Sequence, residues 1–290
     1  TVGKVVEAGS FSGAGELLGV PRSTVSRRIA RLEAHLEVRL IERTTRSMSL
    51  TEQGHAFYER VGPALCQIDG SGELVRDLAG EPQGTLKLTA PVDFSLALLP
   101  AILRDFALKY PKVRVQLEAT NRQVDLVGEG FDLAIRAGHL ADSSLIAKRI
   151  AVTEMWLFAS EAYVEAQGEP RTLDELQEHP CLLFGPMSGR WILGTEAGET
   201  HVLEVRGALI ANEFAVLREA LHKGSGITLL PAFWRKDPGL KRILAPWRVK
   251  GAPVHLLTPS RKYLPARTRA FQEFLLERLE EEAKGWSGGA

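Results

Sequence analysis

Cysteine is nearly absent from this sequence. Cys66 and Cys181 stand far apart in 290 residues, and no metal-ligand spacing surrounds either. That excludes a disulfide framework or a cysteine-rich metal site and predicts two free thiols in a reducing compartment. Excess charge of one sign is also missing, because 36 basic and 36 acidic residues cancel. Any affinity for nucleic acid must therefore come from a local patch. No stretch approaches the roughly 20 apolar residues that a membrane span requires. No signal-peptide pattern is visible, and a start at Thr1 without Met leaves room for a few upstream residues. The expectation is a soluble cytoplasmic protein with no membrane partner.

Catalytic and metal motifs are missing as well. There is no G-x-S-x-G elbow, no H-E-x-x-H and no glycine-lysine run for a nucleoside triphosphate. The seven histidines, at 35, 55, 139, 179, 201, 222 and 255, include no i, i+4 pair. "GAGELLG" at 13–19 has glycines one residue too widely spaced for G-x-G-x-x-G, and no strand precedes it. The sequence predicts no enzyme, no metal and no cofactor.

What is present is enough for two domains, with 44% hydrophobic and 25% charged residues. In "GVPRSTVSRRIARLE", Val25, Ile29, Leu32 and Leu36 recur at helical spacing and mark a core-facing seam. Opposite lie Arg22, Ser23, Ser26 and Arg27, flanked by Thr24, Arg28 and Arg31. Short hydroxyls among arginines suit close contact with a partner rich in acceptors and negative charge. Ser10 is placed to cap a preceding helix through Leu18, and Gly19-Val20 makes a tight turn, the pattern of a helix-turn-helix. Between residues 20 and 46, seven arginines face three acids. "ERTTRS" at 42–47 lies between "VRLI" and "MSL", the form of a two-stranded wing with a basic tip. A solvated arginine face on a small helical domain is the plainer alternative, and helix and wing together argue against it.

Residues 51–83 are expected to form a long linker helix capped by Thr51, with Phe57, Val61, Leu65 and Ile68 as an apolar stripe. That stripe needs a partner, and a second copy of the chain is the economical one. Gly62, Pro63, Gly70 and Gly72 predict a kink or break. From Gly84 strands and helices alternate. Strands are expected at "TLKLTA", "VRVQLEA", "FDLAIRA", "MWLFAS", "CLLF", "VRGALIA", "GITLLP" and "VHLLT", with a short helix around "VDLVGEG". The alternation argues for an α/β fold with parallel sheets.

"VEAGSFSGAGELLGVPRSTVSRRIARLEAHLEVRLIERTTRSMSLTEQG" resembles the winged helix-turn-helix of the LysR-type transcriptional regulators. The resemblance continues through "FALKYPKVRVQLEATNRQVDLVGEGFDLAIRAG" and "GSGITLLP" and covers essentially the whole chain. The chain departs from the family in beginning partway into the first helix and in carrying Pro21 where a capping Ser or Thr is usual. The resemblance implies a DNA-binding domain over 1–50, a dimerising linker over 51–83 and an effector-binding domain over 84–290. That last domain would have the two-lobed architecture of periplasmic binding proteins, with lobe I at 84–160 and 264–290 and lobe II at 161–263. It implies double-stranded DNA as partner, a homodimer or homotetramer, and room for a contact with RNA polymerase. Ser23, Thr24, Ser26 and Arg27 would then face the major groove. Arg22, Arg28 and Arg31 would touch phosphates, and Arg43, Thr44, Thr45 and Arg46 would lay the wing along the backbone or in the minor groove.

In such two-lobed folds ligands bind at the carboxyl ends of strands. The positions there are Asp93, Phe94, Ser95, Thr120, Asn121, Arg136, Gly138, Phe184 and Asn212, and turn chemistry alone is the plainer account of each. Two helix N-termini facing across the cleft would favour a small anion. Asp93 cuts against this and Arg136 could restore the charge, so the expected effector is a small polar organic molecule with an acidic and a donor group. Two rival readings stay open at this point. One is a cytoplasmic solute-binding protein with an unused N-terminal domain, and the other is a two-lobed α/β transferase or deaminase.

Overall fold

The computed structural model describes residues 1–43, 48–58, 60–62, 81–138, 140, 145–187, 189–259 and 264–286. Three helices open the chain: α1 (Val2–Ala8), α2 (Phe11–Leu18) and α3 (Arg22–Leu36). Ser10 begins α2, its Oγ accepting the Gly13 N–H at 3.0 Å. Pro21 stands at the N-cap of α3 and offers no side-chain acceptor. Val25 and Ile29 are fully buried, packed with Val5, Phe11, Ala14 and Leu40.

The wing is formed by β1 (Ile41–Arg43) and β2 (Met48–Leu50), antiparallel, with Ile41 opposite Leu50. Its expected tip, Thr44, Thr45 and Arg46, lies outside the described residues, as does the Arg43 side chain. Glu33 ties the wing to α3, because its Oε1 accepts the N–H groups of Leu40 at 2.9 Å and Ile41 at 3.1 Å. Thr51 then caps α4, which is helical over 52–58 and 60–62. The Thr51 Oγ1 accepts the Gly54 N–H at 2.9 Å and donates to the Arg39 carbonyl at 2.6 Å. A Cβ on Gly54 would stand 2.0 Å from the Leu40 carbonyl oxygen, so only glycine lets α4 cross the base of the wing. Residues 63–80, with Leu65 and Ile68, fall outside the described residues.

The remainder is α/β. In order come β3 (Gly84–Ala90), α5 (Val92–Ala97), α6 (Leu99–Lys109), β4 (Val113–Ala119), β5 (Leu133–Ala137) and β6 (Ile146–Ser160). They are followed by α7 (Glu161–Gln167), α8 (Leu173–Leu176), β7 (Cys181–Phe184), β8 (Arg190–Gly194), β9 (Thr200–Glu204) and β10 (Gly207–Ala211). The chain closes with α9 (Phe214–His222), β11 (Ile227–Pro231), β12 (Leu240–Arg242), β13 (Arg248–Thr258) and α10 (Ala266–Ala283). The strand order is β10-β7-β11-β6-β13-β5-β3-β4, with β12 beside β6, and with β8 beside β13 and β9.

The sheet is mixed rather than purely parallel. β3 runs parallel to β4 and β5, and β7 to β10 and β11, but β6 and β13 are antiparallel to their neighbours. These two long strands divide the domain. The start of β6 pairs the end of β13 (Ile146 with Thr258) in lobe I, and its end pairs β11 (Ala159 with Ile227) in lobe II. The chain therefore passes between lobes near Thr153 and returns near Ala252, not at 160 and 263 as the sequence suggested. Ala147, Lys148 and Arg149 are exposed, so the first half of β6 lacks the apolar pattern that would have announced it. The stretch at 124–130 is a turn and not the expected short helix. In lobe I, Leu86, Leu88, Leu133 and Ile135 pack under Ile102, Phe106 and Phe271. In lobe II, Leu157, Leu183, Leu193 and Ile227 form a second core.

Candidate functional site

Helix α3 turns its buried seam inward, and periodicity alone places Ser23 and Arg27 on the opposite side, one turn apart. Both are exposed, as are Arg22, Arg28 and Arg31, whereas Thr24 and Ser26 are half-buried at the edges of the face. Arg28 lines a groove with Ile29, Leu32, Phe57 and Val61, which sets it apart from Arg27. The exposed face thus carries the Ser23 hydroxyl and the Arg27 guanidinium one turn apart, with Arg22, Arg28 and Arg31 around them. Phe57 is half-buried against the core of this N-terminal domain. Part of the stripe expected to be free is therefore covered within the same chain.

Between the lobes lies a cavity of about 530 Å³. It opens at the C-terminal ends of β3, β5, β7, β10 and β11. Of the residues expected there, Asp93, Asn121, Arg136, Gly138, Phe184 and Asn212 line it. Phe94, Ser95 and Thr120 do not. One turn of α5 explains the first two, since successive residues rotate by about 100° and only Asp93 points outward. Phe94 is buried and meets Phe233 and Trp286 edge-on, at 6.0 Å and 6.5 Å between ring centres. Thr120 Oγ1 instead accepts the Arg122 N–H at 3.3 Å.

The sequence reading missed Thr153 and Met155 of β6, Val249, Lys250 and Ala252 of β13, and Met187, Phe214 and Phe233. The crossing strands were placed too late in the chain, so their cavity-facing residues carried no signal. Phe214 was findable, because it lies two residues after Asn212 in the same turn; its ring stacks on Phe184 with 4.0 Å between ring centres. Much of the wall is apolar, built from residues such as Pro91, Met155, Phe184, Met187, Phe214 and Phe233.

The polar and charged groups of the cleft include Asp93, Arg136 and Asn121. Burial pushes the Asp93 carboxyl up to about 6, and the Glu213 charge adds to this, while the backbone N–H groups of Asp93 and Phe94 pull it back. The Arg136 guanidinium is held below its usual range, first by burial and then by the Arg122 charge. It donates to the Ile135 carbonyl at 2.8 Å and to Thr89 Oγ1 at 3.0 Å. Asn121 bridges the lobes. Its Oδ1 accepts the Val92 N–H at 3.3 Å, and its Nδ2 donates to Glu213 Oε2 at 2.7 Å.

The expectation of two free helix N-termini aimed at an anion is corrected here. Helix α5 has six residues with Asp93 in its first turn, and Glu213 is the N-cap of α9. An acidic residue therefore stands at each helix start, which opposes an anion there. Among the described residues no group of three or more His, Cys, Asp or Glu side chains is placed to hold a metal ion. No helix among them is long and apolar enough to cross a membrane. Cys181 is a buried free thiol, and burial pushes its pKa up to about 11.

Comparison with known proteins agrees with both halves of this geometry. The family described as "Bacterial regulatory helix-turn-helix protein, lysR family" matches residues 1–55, and that described as "LysR substrate binding domain" matches residues 79–280. The HTH-type transcriptional regulator PtxR of Pseudomonas aeruginosa is 35% identical over 285 residues, covering 96% of this chain and 91% of its own. The structure of CrgA, a LysR-type transcriptional regulator from Neisseria meningitidis, superposes with a TM-score of 0.61 at 32% identity, covering 96% of each chain. The full-length structure of AphB, the Vibrio cholerae virulence activator, superposes with a TM-score of 0.59 at 29% identity, covering 95% of this chain and 97% of that one. These relatives are transcriptional regulators and not enzymes, which removes the transferase and deaminase readings. With its helix-turn-helix, its two-lobed α/β domain and relatives matched over nearly their full length, this chain belongs to the LysR family of DNA-binding transcriptional regulators.

Proposed function

We propose that this regulator reads duplex DNA with Ser23, Thr24, Ser26 and Arg27 in the major groove. Arg22, Arg31 and the wing residues 43–46 position it on the phosphates, and Arg28 contributes from the edge of the face. A small polar organic effector occupies the cleft between the lobes and shifts the arrangement of the DNA-binding heads. The working unit is a homodimer or homotetramer assembled through the linker over 51–83, with Phe57, Val61, Leu65 and Ile68 contributing, and RNA polymerase is a further partner. The domain limits of 1–50, 51–83 and 84–290 belong to the same proposal.

The observation that carries this reading is the pairing, in one chain, of an exposed serine-and-arginine helix face with a cavity whose Asp93 and Arg136 are engaged in no ion pair among the described residues. The test is selection of bound duplexes from a random pool with the purified full chain. Enrichment of a two-fold repeat with half-sites about one helical turn apart, or a multiple, is expected. Enrichment of a single unrepeated motif would overturn the dimeric part, and no enrichment at all would overturn specific reading.

A further inference from the structure

The cleft holds two ionisable groups of opposite sign, neither of them held in an ion pair. Among the described residues, no ion pair engages Asp93, and none engages Arg136. Nor do the two pair with each other, although both line one cavity. Asp93 is faced by its own amide, by the amide of Phe94 and by the Glu213 carboxylate from lobe II. None of these is a cation. The two donors that Arg136 uses go to a backbone carbonyl and a hydroxyl, which leaves donors over; the Glu118 and Glu129 carboxylates act on its charge without pairing with it, because Arg122 holds both. Lys250, from the returning strand β13, adds a second cation to the wall. Between these charges the wall is apolar, with the stacked rings of Phe184 and Phe214 as its flattest part.

An ionised carboxylate withdrawn from water is stabilised by a cation, and a withdrawn guanidinium by an anion. We infer that the effector is a zwitterion with an apolar body, of the size and chemistry of an apolar α-amino acid. Its ammonium group sits on Asp93, its carboxylate on Arg136 with Lys250 nearby, and its side chain lies against Phe184 and Phe214. This inference rests on the cleft being the effector site. A carboxylic acid without an amine leaves Asp93 with no cation in contact, and an amine without a carboxylate leaves Arg136 with no anion in contact. Asp93 is then the residue that distinguishes amino acids from simple acids.

The test is calorimetric titration of the full chain at neutral pH with L-phenylalanine, 3-phenylpropionate and 2-phenylethylamine, and then with L-leucine, L-methionine and L-tryptophan. At least one of the four amino acids is expected to bind. If it is phenylalanine, each half-molecule binds at least about tenfold more weakly, the effect of one lost charge-assisted hydrogen bond. If it is another, the amine-free and carboxylate-free analogues of that amino acid take their place. Asp93→Asn erases the preference for the amino acid over the amine-free acid, and Arg136→Gln erases the preference over the carboxylate-free amine. The inference is overturned if the amine-free acid binds wild type as tightly as the amino acid. It is equally overturned if the preference survives Asp93→Asn, or if none of the four binds up to about 10 mM.

A variant with Met187→Trp, which puts a bulkier side chain in the cavity wall, separates this failure from failure of the cleft reading. A compound of other chemistry that binds wild type but not Met187→Trp keeps the cleft and removes the zwitterion. A ligand that binds both alike, and still changes affinity for DNA, removes the cleft as the effector site.

Discussion

Asp93 makes the unliganded protein less stable than it could be. Its carboxyl has an ordinary value of 3.8 and is raised to about 6 by burial in the fold. The unfolded chain therefore favours the ionised form more than the native state does. Below about pH 4 both states are protonated and nothing is lost. As pH rises through 6 the native state must ionise a withdrawn carboxyl, and the cost approaches about 1–3 kcal/mol. Asp93→Asn keeps the shape and removes this term. Thermal unfolding of the unliganded variant is expected several degrees above wild type near pH 7.5 and level with it near pH 4. A variant less stable than wild type at pH 7.5 would contradict the assignment.

Arg27 is the corresponding residue on the DNA face. Arg27→Ala is expected to lose about 1–3 kcal/mol on the selected duplex and much less on random duplex. An equal loss on both would assign Arg27 to phosphate.

At the scale of elements, the wing depends on one side chain of α3. Glu33 accepts two backbone N–H groups where the chain enters β1, those of Leu40 and Ile41. Glu33→Ala leaves both without their acceptor and is expected to cost about 1–3 kcal/mol, with duplex binding weakened alike for every sequence. A melting temperature unchanged from wild type would show that the wing does not hang on this contact.

This scale also shows where the sequence was readable. Ser10, Thr51 and the seam of Val25 and Ile29 act locally, through caps and a 3.6-residue period, and all stand where expected. β4 was legible as an apolar/polar alternation and β7 as a short apolar run. β6 was only half legible, because its first half is exposed and polar and is held as strand by pairing with β13, a partner about a hundred residues away. The cleft shared that fate. Residues just after strands could be named from the chain, whereas Thr153, Met155 and Lys250 reach the cavity only because two long strands cross between the lobes. In α5, Asp93 was identified but Phe94 and Ser95 came with it, since a turn of helix separates neighbours that a sequence window groups together.

At the scale of the molecule, the turn over 120–130 touches both working regions. Its first part places Asn121 across the lobes against Glu213. Arg122 then holds Glu118 and Glu129, and the far part receives Tyr58 of α4, whose Oη donates to the Val127 carbonyl at 3.3 Å. Gly62, also in α4, lies so close to Val127 that a Cβ there would meet its Cγ1 at 2.6 Å. If the lobes close as proposed, a shift of Asn121 would reach the base of the DNA-binding domain through this short ion-paired segment. Tyr58→Phe is expected to leave ligand affinity within about twofold and to reduce the effect of ligand on DNA affinity. An undiminished effect would remove this contact from the coupling.

The central claim is that occupancy of the cleft governs binding by α3. It is tested by fluorescence anisotropy of the selected duplex, titrated with the full chain in the absence and in the saturating presence of a compound whose binding Met187→Trp abolishes. The account predicts that the compound changes duplex affinity of the wild type by at least about fivefold and leaves that of Met187→Trp unchanged. Equal duplex affinity of the wild type with and without the saturating compound would contradict it.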